Sequence, residues 1–98
     1  MLVTTIGDLR DKEIINLNSG HRLGFVCDAE ITLEDGQVLA LIVPGAVRFF
    51  GLLGREDDIV IPWDNITKIG EDIILVSIEG DFPRRSLRDM RGRKRSFF

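Results

Sequence analysis

The sequence predicts a small all-β fold, a barrel or sandwich of about six short antiparallel strands, followed by a basic C-terminal tail. Three observations lead to this prediction. Short apolar runs with the two-residue period of strands recur between turn residues, no stretch shows a long helical period, and arginines replace the apolar pattern near the end of the chain. A chain of 98 residues has room for one domain, which we place at residues 1–80, with a flexible, disordered tail at residues 81–98.

A helical turn and a hairpin are predicted first. Thr5 and Asp8 have the spacing of a helix cap, which favours a single helical turn. Residues 13–17 have the composition of a short strand, and Asn18-Ser19-Gly20 suits a tight turn. The chain is therefore expected to return from this turn as a second, antiparallel strand.

The clearest strand period lies at residues 22–33, where every second side chain is apolar. It predicts one continuous strand that enters a hairpin turn at Asp35-Gly36. The returning strand, residues 37–43, is apolar on both faces and requires cover on two sides. The predicted apolar face of the first strand consists of Leu23, Phe25, Cys27, Ala29, Ile31 and Leu33.

Three further strands are predicted at residues 58–62, 66–69 and 73–77, with turns between them. Closing such strands into a barrel would remove exposed sheet edges. Trp63 follows the first of these strands, and we expect its indole to pack over the end of the barrel. The apolar pattern ends near Ile78, which places the domain boundary there.

No pattern in the sequence indicates an enzyme. His21 stands alone beside a turn, and Cys27 is predicted to be a small buried apolar residue. Asp28 and Glu30 share one strand face, where paired carboxylates usually maintain solubility, and residues 56–58 are interpreted as a solvated hairpin base. We therefore expect no catalytic residues, no cofactor, no metal and no small-molecule substrate.

The segment PGAVRFFGLLG at residues 44–54 combines loop-forming glycines with large apolar side chains. Such side chains need cover, and we interpret the segment as a protein-interaction loop that pairs two copies of the chain as a homodimer. In the alternative interpretation, the same side chains fold back and plug the open end of the barrel. The predicted interaction residues are Arg48, Phe49, Phe50, Leu52, Leu53 and Arg55.

Charge divides the chain into an acidic body and a basic tail. Residues 1–80 carry 6 Lys and Arg against 14 Asp and Glu, whereas residues 81–98 carry 7 against 2. The tail is a candidate for binding nucleic acid or an anionic membrane, and the alternative is a solvating segment. Its candidate anion-binding residues are Arg84, Arg85, Arg88, Arg91, Arg93, Lys94 and Arg95. The N-terminus lacks the pattern of a signal peptide, which predicts a cytoplasmic protein.

Several of these motifs, in this order and spacing, resemble the PRC-barrel family over residues 5–78. The segments KEIINLNSGHRLG, LIVPG, FFGLLGR and IVIPWDNITKIGEDIILV are similar to stand-alone members of spore-forming Gram-positive bacteria that are associated with sporulation. The resemblance implies a small all-β barrel that serves as a protein-interaction or adaptor module. It also implies that catalytic residues and cofactors are absent, and it names no partner.

Overall fold

The computed structural model describes residues 2–45 and 57–85, with the backbone alone at residues 84 and 85. Strands predominate, which confirms the all-β fold class, and the described residues contain eight of them where about six were expected. In chain order the elements are helix α1 (Ile6–Arg10), β1 (Glu13–Asn16), β2 (Arg22–Phe25), β3 (Asp28–Ile31), β4 (Val38–Val43), β5 (Asp58–Pro62), a 3-10 helix (Trp63–Asn65), β6 (Ile66–Ile69), β7 (Ile73–Val76) and β8 (Arg84–Arg85).

Helix α1 is the single turn predicted from its capping residues. The backbone N–H of Asp8 donates to Oγ1 of Thr5 at 3.1 Å, which satisfies one of the amides that a helix start leaves unpaired. Leu9 is the buried residue of the helix and packs into the core. The cap therefore fixes where the helix begins, and Leu9 fixes which side faces the sheets.

The first sheet has the strand order β2-β1-β7-β6. The predicted hairpin of β1 and β2 is confirmed, and β6 pairs with β7 in the same antiparallel manner. β1 and β7 are parallel instead, with Glu13 opposite Ile73 and Asn16 opposite Val76. This pair corrects the expectation of antiparallel strands, which holds for every other pair among the described strands.

The second sheet has the order β3-β4-β5-β8, with antiparallel neighbours throughout. The predicted turn at Asp35-Gly36 joins β3 to β4. Gly36 adopts a φ of 71°, a left-handed conformation that glycine tolerates without steric cost. The backbone N–H of Thr32 donates to the carbonyl of Gln37 at 2.8 Å and closes the hairpin.

The continuous strand predicted at residues 22–33 is interrupted, because the chain crosses there from the first sheet to the second. Val26 is buried at the crossing, and the N–H of Cys27 donates to the carbonyl of Ile42 at 2.8 Å. The crossing changes which side chains face the core. Phe25 and Cys27 are exposed, so the prediction of a buried Cys27 was wrong, and Ile31 is about half exposed.

The main hydrophobic core lies between the two sheets. Its members from the first sheet include Ile14 and Ile74, and those from the second include Leu41 and Ile61, all with no exposed area. Trp63, directly after β5, is partly buried and packs against this cluster, as predicted. Within the described chain, no hydrogen-bonded pair of strands joins one sheet to the other.

The folded chain continues past the domain boundary predicted at residue 80. Phe82 is partly buried against the main core, and the carbonyl of Pro83 accepts from the N–H of Val60 at 2.9 Å. β8 then pairs with β5, with Arg84 opposite Ile59. Residues 81–85 of the predicted disordered tail are therefore part of the ordered fold, and the remainder of the predicted tail lies outside the described residues.

Candidate protein-interaction surface

The residues predicted to form the interaction loop lie outside the described residues, at positions 46–56. They are Arg48, Phe49, Phe50, Leu52, Leu53 and Arg55. Most of the predicted anion-binding tail also lies outside the described range. Of its basic residues only Arg84 and Arg85 have a described backbone, as β8. The described surface closest to the predicted loop is formed by the residues that flank it.

The two ends of the predicted loop lie side by side. β4 and β5 are adjacent and antiparallel, with Val43 opposite Ile59, which confirms that residues 44–57 connect neighbouring strands. Beyond the last pair, the N–H of Gly45 donates to Oδ1 of Asp58 at 3.1 Å, and both residues are buried. The base of the loop is thus fixed to the sheet by a hydrogen bond as well as by strand pairing.

Asp58 differs from its prediction. The interpretation of residues 56–58 as a solvated hairpin base agrees with the exposed Asp57, but Asp58 is only 3% exposed. A buried carboxylate needs hydrogen-bond donors, and the N–H of Gly45 is one of them. Asp58 therefore holds the loop base in place. In the part of the chain that the structure describes, no group of three His, Cys, Asp or Glu residues could hold a metal ion.

An open cleft of about 400 Å³ lies beside this loop base, and we call it the Phe25 cleft. Phe25, which ends β2, has 51% of its surface exposed, although the two-residue period placed it on the buried face. The nearby Ile6 of α1 is also exposed, at 42%. The cleft is lined by Gly7, Arg10, Asp11, Phe25, Val26, Cys27 and Pro44.

β2 lies against β4 at Gly24, the residue before Phe25. Gly24 has a φ of 112°, and a Cβ built on it would lie 3.4 Å from Cγ1 of Val43. A side chain at position 24 would therefore be strained in its backbone, whereas its distance to Val43 is that of an ordinary contact. Glycine suits this backbone conformation directly before Phe25.

The cleft offers an apolar wall with charges of both signs at its edge. Pro44 and Phe25 provide apolar surface, while Arg10 and Asp11 come from the end of α1. Exposed aromatic surface next to a polar rim is typical of protein-binding sites. Sequence reasoning missed this site because the signal that would reveal it is the strand break at Val26, which the two-residue period conceals.

The isolated polar candidates occupy structural positions. His21 is an exposed turn residue, as expected, and its N–H donates to Oγ of Ser19 at 3.3 Å. Asp28 is exposed, and its Oδ1 accepts from the N–H of Ala29 at 2.8 Å. Glu30 is half-buried on the same strand. None of these contacts assembles a general acid and base around a common point.

Arg22 and Asp35, both at the surface, have shifted pKa values, and both shifts arise from hairpin contacts. Glu13 accepts hydrogen bonds from Arg22 and raises the pKa of the guanidinium, which is already charged at any physiological pH. The hydroxyl of Thr32 donates to the carboxylate of Asp35, and with the backbone N–H of Gln37 it lowers the pKa of Asp35. These contacts stabilise turns, and neither lines the Phe25 cleft.

Comparison with known sequences identifies the family to which this fold belongs. A sequence profile of the PRC-barrel domain matches residues 3–82, which is most of the chain. The chain belongs to the PRC-barrel family. The matched range extends past the boundary inferred from the apolar pattern and includes Phe82, in agreement with the packing of that residue against the core.

Relatives from two organisms align with this chain over most of their own length. The chain is 39% identical over 74 residues to the probable sporulation protein YlmC of Bacillus subtilis, covering 76% of this chain and 91% of that protein. It is 39% identical over 82 residues to the uncharacterized protein YmxH of the same organism, covering 82% of this chain and 95% of YmxH. An uncharacterized Clostridium acetobutylicum protein, CA_C1697, is 37% identical over 73 residues, covering 74% of this chain and 83% of that protein.

No helix in the described part of the chain has the length and apolar character needed to cross a bilayer.

Proposed function

We propose that this PRC-barrel protein is a non-enzymatic adaptor that binds other proteins and associates with itself as a homodimer. The observation that carries the proposal is the Phe25 cleft, an exposed aromatic surface beside the fixed base of the apolar loop. Loop and cleft together would provide one continuous surface for a partner chain. A second copy is the simplest partner, because a two-fold pair covers the same patch on both chains.

Light scattering on the purified protein at micromolar concentration tests self-association. The wild type is expected to have twice the mass of one chain. Phe49→Asp with Phe50→Asp, or Phe25→Asp alone, should return the mass to that of a single chain because a charge would be buried in the interface. A monomeric wild type would contradict the homodimer.

A matched control distinguishes loss of the interface from a general effect of added charge. Leu33 is 64% exposed in the turn between β3 and β4 and does not line the cleft. Leu33→Asp should therefore leave the mass at two chains. Circular dichroism on each variant should show that the strands remain folded.

The proposed biological setting is sporulation, on the basis of the relative named as a probable sporulation protein. Deleting the gene in a spore-forming host is expected to lower the yield of heat-resistant spores. Wild type should restore that yield, whereas the Phe49→Asp, Phe50→Asp variant should not. Affinity capture of the wild type and this variant from sporulating cells would identify other protein partners, since proteins retained by the wild type alone depend on the loop.

A further inference from the structure

The second sheet has buried side chains on both of its faces, including the face turned away from the main core. Ala40, Ile42 and Val60 form a second apolar cluster there, with exposures of 3%, 0% and 6%. We call this the outer face. Seven partly buried apolar side chains pack against the main core, whereas within the described residues none packs against the outer cluster.

Carboxylates surround the outer face. Asp28 lies opposite Ile42, and Glu30 lies opposite Ala40. Directly opposed residues of neighbouring strands project to the same side of a sheet, so both carboxylates share the face with the apolar cluster. Asp58 stands two residues before Val60 on β5 and faces the same way. The outer face therefore favours an occupant with apolar side chains and positive charge.

We propose that the C-terminal segment, residues 86–98, docks on the outer face of its own chain. The segment carries five basic residues against one acid, Asp89. Its positive charge complements Asp28 and Glu30, since the buried Asp58 already accepts from the N–H of Gly45. The stretch at residues 46–56 is less suited by charge, because it carries two arginines and one glutamate.

The position of β8 brings the segment to this face. Arg85 lies opposite Asp58, two residues before Val60 on β5, so the segment starts from this edge of the second sheet. Crossing from β8 to β3 requires three strand spacings, about 15 Å in all, and an extended chain advances about 3.3 Å per residue. The 13 residues after Arg85 are more than long enough.

The same segment also provides apolar side chains at a suitable spacing. Leu87 and Met90 are three residues apart, which would place them on one side of a helical turn. In the docked segment these two side chains cover Ile42 and Val60, while the neighbouring arginines reach Asp28 and Glu30. This docking is independent of the proposed dimer, which uses the loop and the Phe25 cleft.

Methyl NMR on the full chain tests the docking directly. The protein has two methionines, Met1 and Met90, so the Met90 methyl signal is readily assigned with Met90→Leu. Nuclear Overhauser cross-peaks are expected between the Met90 methyl and the methyls of Ile42 and Val60. Raising the salt from about 0.05 M to about 0.5 M should weaken them, since exposed charges are then screened.

Charge reversal provides the second arm of the test. Asp28→Lys with Glu30→Lys should abolish the cross-peaks, whereas Asp64→Lys, on the exposed 3-10 helix, should preserve them. The wild-type salt series gives the same test if the double variant does not fold. Absence of the cross-peaks in folded wild type at low salt would overturn the proposal. So would contacts of Ile42 and Val60 with Phe49 or Phe50 instead, or cross-peaks found only between differently labelled chains.

Discussion

At the scale of single residues, Asn16 shows how this small fold accommodates a buried polar group. Its side chain is 1% exposed and takes part in four hydrogen bonds. Nδ2 donates to the carbonyl of Ile78 at 3.1 Å, and Oδ1 accepts from the N–H of the same residue at 3.0 Å. Asn16 thus pairs with the backbone beyond β7, where the parallel ladder with β1 has ended.

Replacing Asn16 by Leu should lower the free energy of unfolding by roughly 2–4 kcal/mol, because both backbone groups of Ile78 would lose a buried partner. Urea unfolding measures the change. Asn18 is a suitable control in the same turn, since its side-chain oxygen accepts from Ser77 at the surface. Asn18→Ala should cost less than about 1 kcal/mol. An equal decrease in the free energy of unfolding for the two variants would show that the buried hydrogen bonds of Asn16 stabilise the fold no more than the surface hydrogen bond of Asn18.

Thr32 and Asp35 allow a test of pH dependence at the same scale. The pKa of Asp35 is lower in the folded state, so this carboxylate stabilises the fold above its unfolded pKa, and the contribution is lost as the pH falls through the folded value. Thr32→Val should raise the pKa of Asp35 toward its ordinary value, as measured by NMR titration. The Thr32→Val variant should melt at a lower temperature than wild type at neutral pH, and this difference should diminish at acid pH. Thr67→Val, an exposed threonine of β6, should leave the pKa of Asp35 unchanged.

At the scale of elements, the sequence correctly predicted those helices, turns and strands that depend on residues close together in the chain. The capped turn of α1, the hairpin at Asp35-Gly36 and the doubly apolar β4 follow from residue types at fixed spacing. The Phe25 cleft could not be predicted in the same way. The break at Val26 depends on the sheet to which each half of the segment pairs, and that is a non-local choice.

Strand β8 is the element that sequence reasoning did not find, because two arginines carry no apolar period. Its removal should nevertheless matter. A chain ending at residue 80 loses the packing of Phe82 and the acceptor for the N–H of Val60. It should be less stable than a chain ending at residue 85 by roughly 2–4 kcal/mol in urea unfolding. Phe82→Ala in the longer chain separates the two contributions, and equal stability of the two chains would show that β8 adds nothing.

At the scale of the whole molecule, the sequence alone reveals the division of charge, and the fold changes which partner that charge suggests. Composition predicted an acidic body and a basic tail, with nucleic acid or an anionic membrane as partner of the tail. The fold places Asp28 and Glu30 on the outer face, where they provide a competing anionic surface within the chain. Composition could not indicate this, because strand register decides which carboxylates share a face.

This competition predicts how the whole protein responds to anionic surfaces. Vesicles containing acidic lipids should bind wild type weakly, and binding should decrease as salt rises. Asp28→Lys with Glu30→Lys should strengthen binding by releasing the tail, as measured by vesicle sedimentation. The same double variant ending at residue 85 removes the tail and is the matched control, and it should bind less than the full-length variant. Equal binding by the two would show that the added lysines themselves account for the effect.

The parallel pairing of β1 with β7 has a consequence for the order in which the chain acquires its structure. The central pair of the first sheet, β1 with β7, cannot form until Ile73 has been made, sixty positions after Glu13. β3, β4 and β5 are neighbours in sequence, and contacts between nearby segments close with a smaller loss of chain entropy. During synthesis, β3, β4 and β5 can therefore pair while β7 is still within the ribosome. The N-terminal strand, although made first, completes its pairing only after β7 has been made.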